Sequence, residues 1–255
     1  MVKMRAITPI CLFCIVLTTL AQDYRIQRPP ADNRMRVADG RIAMMDSNTA
    51  FLAHFDGTVA LSNSNYTAET GQIVTFYGNS FLDPDLYKYG PGAYSGPVGA
   101  GDYATIPVST EFDFGTDNFT IDLMVHPSTG DGGVFQFSPD GVSRIDLAVY
   151  ISKFYADVVT NGVVFSGSFG DTIAINTWYH IAVVRNGNTL TWYVDGASKL
   201  TNDVTGKNFD LSGNNSFIGT YSDSSYGLYG LIDEFRISKG IARWTANFTP
   251  PTAPY

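Results

Sequence analysis

Cysteine is almost absent: there are two in 255 residues, Cys11 and Cys14. Both fall inside an apolar run near the amino terminus, so the rest of the chain has no disulfide framework. Within that run the C-x-x-C spacing is apolar filler, not a redox or zinc motif. Glutamate is nearly as scarce. Of 24 acidic residues only Glu69, Glu111 and Glu234 are glutamates. The remainder are aspartates, whose short side chains bond the local backbone in turns, whereas Glu favours helices. A helical bundle is excluded. Basic residues are also few, 16 against the 24 acids, for a net charge of −8. From Phe51 onward nine bases face 20 acids, a balance of −11. Phosphate backbones need a cationic surface, so the balance argues against sequence-independent nucleic-acid binding, and anionic membranes are repelled. No G-x-S-x-G or H-E-x-x-H motif occurs, and His54, His126 and His180 are scattered.

The longest apolar run, Ile10 to Leu20, has 11 residues, too few to span about 30 Å of hydrocarbon. Lys3 and Arg5 precede it, and Thr19 and Ala21 stand at −3 and −1 of a cleavage before Gln22. Residues 1–21 therefore read as a signal peptide, and the mature chain as secreted or held at a cell surface. Residues 22–50 carry five Arg, four Asp and the pair Pro29-Pro30 with little periodicity. They read as a linker or tether arm.

From Phe51 the chain is rich in aromatics and turn dipeptides. Short apolar or alternating runs at 51–55, 103–108, 119–125, 133–138, 144–151, 154–159 and 163–169 predict strands. Asn161-Gly162 predicts a type I′ hairpin turn. The clearest unit is WYHIAVVRNGNTLTWYV from Trp178 to Val194, a hairpin turning at Arg185–Asn188. Its first arm is apolar on both alternating sets, which predicts a strand covered on both faces. Trp178 and Trp192 are expected in the core. Runs at 217–221 and 229–237 complete the series, and Ile241–Ala246 is the best candidate for a short helix. About a dozen strands define an all-β sandwich or barrel over residues 51–255.

The order FLAHFDGT, GDYATIPVSTEFDFGTDNFTIDLMV, TWYHIAVVRNGNTLTWYVDG and GLYGLIDEFRISKGIARWTANFTPPTAPY resembles the laminin-G-like, concanavalin A-like jelly roll. The ending RISKGIARWTANFTPP resembles domains found in bacterial surface proteins and in tail-fibre or other virion proteins of phages. The resemblance implies an antiparallel β-sandwich whose first and last strands lie side by side. It also implies a non-catalytic module that binds glycans or surface proteins. The alternative is a structural or receptor-binding component of a phage tail fibre or virion, and a less favoured one is a glycan hydrolase.

Two acids form the candidate metal site. Asp56 sits in an Asp-Gly-Thr turn after the first strand, and Asp233 stands among large apolar residues in Leu-Ile-Asp-Glu-Phe. A buried carboxylate needs a cation or donors. Hard oxygen ligands without Cys suit Ca²⁺, and the resemblance implies a structural calcium near these positions. Pairing of Asp233 with Arg236, or capping of a turn, is the competing reading. Asp233 and Glu234 are expected on opposite strand faces. Hydrolysis lacks support, since Asp122 has no second acid two residues on. Ligand binding rests on loop aromatics: Tyr221, Tyr226 and Tyr229 beside Asp223, with a second group at Tyr87, Tyr89 and Tyr94. Exposed tyrosine faces stack on sugar C–H surfaces.

Overall fold

The computed structural model describes residues 34–38, 41–57, 64–96, 99, 101–137, 143–221 and 226–255. The leader, the cleavage before Gln22 and Asp223 lie outside them. The chain begins with β1 (Arg34–Ala38) and β2 (Arg41–Met45), an antiparallel ribbon within the stretch read as an arm. Then follow β3 (Thr49–Ala53), β4 (Asn65–Thr67), β5 (Ile73–Tyr77), β6 (Phe81–Asp83), β7 (Ala93–Gly96) and β8 (Tyr103–Ile106). A 3₁₀ turn at Thr110–Phe112 leads to β9 (Asp113–Gly115) and the long β10 (Phe119–Pro127). The next four are β11 (Gly132–Phe137), β12 (Ser143–Tyr150), β13 (Lys153–Thr160) and β14 (Val163–Phe169). The predicted hairpin is β15 (Tyr179–Asn186) and β16 (Thr189–Val194), followed by β17 (Ala197–Asp203) and β18 (Phe209–Asp210). The chain closes with β19 (Ser216–Ile218), β20 (Thr220–Tyr221), β21 (Tyr226–Gly227) and β22 (Gly230–Lys239).

Two eight-stranded antiparallel sheets stack into the sandwich that the sequence pattern predicts. One runs β17-β16-β15-β10-β22-β7-β6, with β3 also on β22; the other runs β14-β13-β12-β11-β19-β8-β5-β4. Phe51, Phe135, Phe137 and Phe235 meet between them, with ring centroids about 6 Å apart. The first strand of the sandwich, β3, lies beside the last, β22, with Phe51 opposite Ile237 and Ala53 opposite Phe235. At the Asn161-Gly162 turn both residues have positive φ, as type I′ requires.

The first hairpin arm is covered on both faces, but only one cover is the other sheet. Tyr179, Ile181 and Val183 face the core. Ala182, Val184 and Tyr193 face outward and are packed by Ala242, Trp244 and Phe248 of the carboxy-terminal segment. That segment corrects the expectation of a helix at 241–246. Its polar groups bond across to the sheet instead: Thr120 Oγ1 donates to the Ile241 carbonyl, and the Arg243 amide donates to Thr120 Oγ1. Trp192 is fully buried, whereas Trp178 is half-buried outside the core, its ring 5.2 Å from that of His126. Tyr94, read as a loop residue, is a core side chain on β7.

Candidate functional site

At one rim of the sandwich the β10–β11 loop, the β12–β13 turn and the chain around β21 converge. Asp131 joins them. Its Oδ1 accepts the Ile151 amide at 3.0 Å and the Tyr226 hydroxyl at 3.3 Å. Ser152 donates its amide to the Gly130 carbonyl, and Ser128 donates to the Tyr229 carbonyl. Partial burial and the Asp131 carboxylate both push the Tyr226 phenol up, and the Tyr150 phenol lies close enough to add to it.

Four large apolar side chains stand in solvent on this rim: Tyr150 (47% exposed), Ile151 (69%), Tyr226 (37%) and Tyr229 (36%). Ile151 is also strained, since it and Ser152 take φ of +50° and +54° at the turn. A β-branched residue in the left-handed region is a genuine outlier, costing of the order of 1–2 kcal/mol. Such strain clusters where a site needs a particular side chain. The outer strand face beside the rim is polar. Tyr155 and Ser166 share a hydroxyl hydrogen bond at 2.8 Å, and the Tyr150 and Tyr155 rings lie 6.0 Å apart.

Of the tyrosines expected to bind ligand, Tyr226 and Tyr229 stand on this rim. Tyr221 pairs with Tyr226 across the β20–β21 ladder. Asp131, Tyr150 and Ile151 come from distant sequence, and only the Ser152-Lys153 punctuation after β12 hints at a turn there. Tyr89 instead ties down the carboxy-terminal segment, donating to the Pro251 carbonyl at 2.6 Å.

Further along the same outer face Asp146 and Asp157 stand opposite each other on β12 and β13. Arg144 pairs with both, its Nε 2.8 Å from Asp146 Oδ2. Burial pushes the Asp146 carboxyl up to about 8 despite the Arg144 charge.

The candidate metal acids occupy a different corner. Glu234 has φ +52° at a bulge in β22, where Asp122 pairs with Arg236 and Met124 with Asp233. This corrects the expected opposition of Asp233 and Glu234: both are buried, and a bulge breaks the alternation of faces. Asp233 does not pair with Arg236, whose guanidinium goes to Asp122. Instead its Oδ2 accepts the amides of Lys88 and Tyr89, each at 2.8 Å, capping that loop. Its Oδ1 is buried and accepts no hydrogen bond among the described residues. Asp56 lies against the other end of the same loop, where Gly57 donates to the Pro91 carbonyl. Phe55 (φ +56°) and Gly57 (φ +113°) turn their carbonyls toward Gly92; a Cβ there would stand 2.7 and 3.0 Å from those oxygens. Among the described residues no three His, Cys, Asp or Glu side chains are grouped to hold a metal ion. Burial is the main cause that pushes the Asp233 carboxyl up to about 8, and the Glu234 charge adds to it.

Residues 98–243 match the laminin-G-like profile of the concanavalin A-like lectin/glucanases superfamily. The chain belongs to this family. No curated protein matches the chain. Among solved structures the fold is similar to the binding domain of Paraclostridial Mosquitocidal Protein 1, with TM-score 0.58 and 10% identity over 76% of this chain and 49% of that one. It is similar to the ligand binding domain of botulinum neurotoxin serotype D, solved with N-acetylneuraminic acid, with TM-score 0.56 and 12% identity over 76% of this chain and 48% of that one. It is also similar to domain 4 of AbnA, an extracellular arabinanase of Geobacillus stearothermophilus solved with arabinotriose. There the TM-score is 0.53 and the identity 16%, over 72% of this chain and 92% of that domain. The chain thus spans about half the length of the two toxin domains. No described helix is long and apolar enough to cross a membrane.

Proposed function

We propose that this chain is an exported, non-catalytic binding module that recognises glycans at the rim of Tyr150, Ile151, Tyr226 and Tyr229. One observation carries the reading. Asp131 fixes the Tyr226 hydroxyl and the strained Ile151 turn together, so exposed aromatic faces are held in place on a rigid sandwich. Aromatic faces take sugar C–H surfaces, and preorganised side chains lose little freedom on binding. Solved structures of the same fold in complex with N-acetylneuraminic acid or arabinotriose support a carbohydrate ligand. Binding is favoured over hydrolysis because Arg144 pairs with both members of the cross-strand couple Asp146 and Asp157. A retaining hydrolase needs two such groups free to act as acid and nucleophile.

A structural calcium belongs to the same proposal. The buried, unbonded Oδ1 of Asp233 and the carbonyl-lined turn at Asp56 fit a hard cation that takes oxygen ligands. Asp56 and Asp233 would hold it, supplying charge to tie first and last strands together.

The test is a glycan array probed with the purified chain, with and without calcium. Binding that is lost in Tyr226→Ala and Tyr150→Ala, with the melting temperature kept, supports the rim. An array with no binding, or binding indifferent to both variants, refutes it.

A further inference from the structure

The chain contains two Asn-Gly pairs, Asn161-Gly162 and Asn186-Gly187, and all four residues are exposed. The amide nitrogen after an asparagine reaches the side-chain carbonyl carbon through a five-membered ring, and such intramolecular attack is strongly favoured by proximity. Glycine, without a Cβ, leaves that nitrogen unshielded. Both pairs lie in hairpins and look equivalent in sequence. The fold makes them different.

Asn161 and Gly162 connect β13 to β14, at the end of β13 away from the rim. The ladder there has already slipped out of register, between Val158 and Val159. The Gly162 carbonyl accepts the Thr160 amide at 3.0 Å. Among the described residues, however, neither the Gly162 amide nor the Asn161 side chain has a hydrogen bond. Asn186, by contrast, closes the β15–β16 ladder opposite Thr189. The Gly187 amide after it donates to Asn118 Oδ1 at 2.7 Å, and Arg185 Nε donates to the Gly187 carbonyl at 3.1 Å. That glycine is held on both sides.

We infer that Asn161 is a site of self-modification by deamidation, and that Asn118 protects Asn186 from the same reaction. At Asn161 the Gly162 nitrogen passes its proton to hydroxide and attacks Cγ. The N–Cγ bond forms, the Cγ–Nδ2 bond breaks, and the departing Nδ2 takes a proton from water and leaves as ammonia. Water then adds to either carbonyl of the cyclic imide and opens it to aspartate or isoaspartate. The product carries one more negative charge, and isoaspartate lengthens the main chain within the turn. At Gly187 the same nitrogen must first give up its bond to Asn118. An ordinary hydrogen bond broken on the way slows the attack by roughly two- to tenfold.

Incubation of the full chain at pH 8, followed over time by peptide mapping with mass spectrometry, tests this. Asn161 should convert several times faster than Asn186, with ammonia released in equal amount, and faster still at pH 9. In urea the two sites should convert at similar rates, because only the fold distinguishes them. Asn118→Ala should speed conversion at Asn186 by roughly two- to tenfold, whereas Asn118→Asp keeps the acceptor and leaves it slow. If Asn118→Ala fails to fold, the native and urea rates of the unaltered chain decide the matter. The inference is overturned if Asn161 keeps its amide in the native chain or if the two native sites convert at the same rate. A folded Asn118→Ala chain with an unchanged rate at Asn186 likewise overturns it.

Discussion

Asp122 on β10 holds Arg236 on β22 through two hydrogen bonds, 3.1 Å to Nε and 2.9 Å to the terminal nitrogen. Tyr255 closes the pair from above, its ring centroid 3.6 Å from the guanidinium carbon, and its hydroxyl reaches His180 Nε2 at 3.1 Å. The outer face of this sheet thus contains a sealed ion pair under a peptide strap.

Removing one partner of that pair leaves the other charge buried and alone. Asp122→Ala should cost about 3–5 kcal/mol, a fall of roughly 6–20 °C in a domain of this size. Burial, the largest single effect, raises the Asp122 carboxyl, but the charge and hydrogen bonds of Arg236 together with His180 outweigh it and hold it at about 2. A depressed carboxylate stabilises the fold above its unfolded pKa, and the contribution is lost as pH falls from about 4 through 2. Acid titration of the melt should show a drop in that window that Asp122→Ala lacks.

Asp146 works in the opposite sense. Its carboxyl is pushed up to about 8 in the fold, so between about pH 4 and 8 the unfolded chain releases a proton that the folded chain keeps. Its contribution therefore weakens stability as pH rises through that range and levels off above it. Asp146→Asn should flatten this decline, giving a larger relative gain at pH 8 than at pH 4. A variant with an unaltered pH profile would show that the carboxyl stays ionised beside Arg144.

Ile151 links strain to binding. A type I′ turn favours Asn or Gly where this chain places a β-branched residue. Ile151→Gly should raise stability by about 1 kcal/mol, roughly 2–4 °C, and weaken rim binding. A gain in stability with full binding would make the strain incidental to the site.

The proposed calcium predicts a chelator effect. A ligand at a hundredfold excess over Kd stabilises by about 2.7 kcal/mol, so chelation should lower the melting temperature by several degrees. Asp233→Asn should lower it similarly and remove the response. If the melt ignores both chelator and calcium, Asp233 serves only to cap the loop at Lys88 and Tyr89.

Much of the fold was legible because period-two patterning and turn dipeptides are local signals. The hairpin at Trp178–Val194 is an example, whereas the pairing of β3 with β22 is non-local and was an implication of the family resemblance. Strands β4 to β7 were not, since they are three to five residues long, too short to display a period. The bulge at Glu234 was also hidden, because it depends on the register against β10 and not on the residue itself. Trp178 and Trp192 look alike in sequence, yet Trp192 points into the core while Trp178 falls on the parity of Ala182 and Val184, which face outward. At the rim the tyrosines near β21 were readable as a cluster. Asp131 and Ile151 were not, because only the folded loops bring them beside Tyr226.

The neighbouring first and last strands also set how the domain carries load. Thr49 opens β3 directly opposite Ser238 near the end of β22, so the chain enters and leaves this ladder at the same end. Tension drawn from both sides would peel the ladder one bond at a time instead of shearing it all at once. Just outside that point Arg243 clamps Asp46 with two contacts of 2.9 Å. A pull on the carboxy-terminal side must first lift the Tyr255 strap from Arg236 and Glu234 and only then meets this clasp, before any core strand separates.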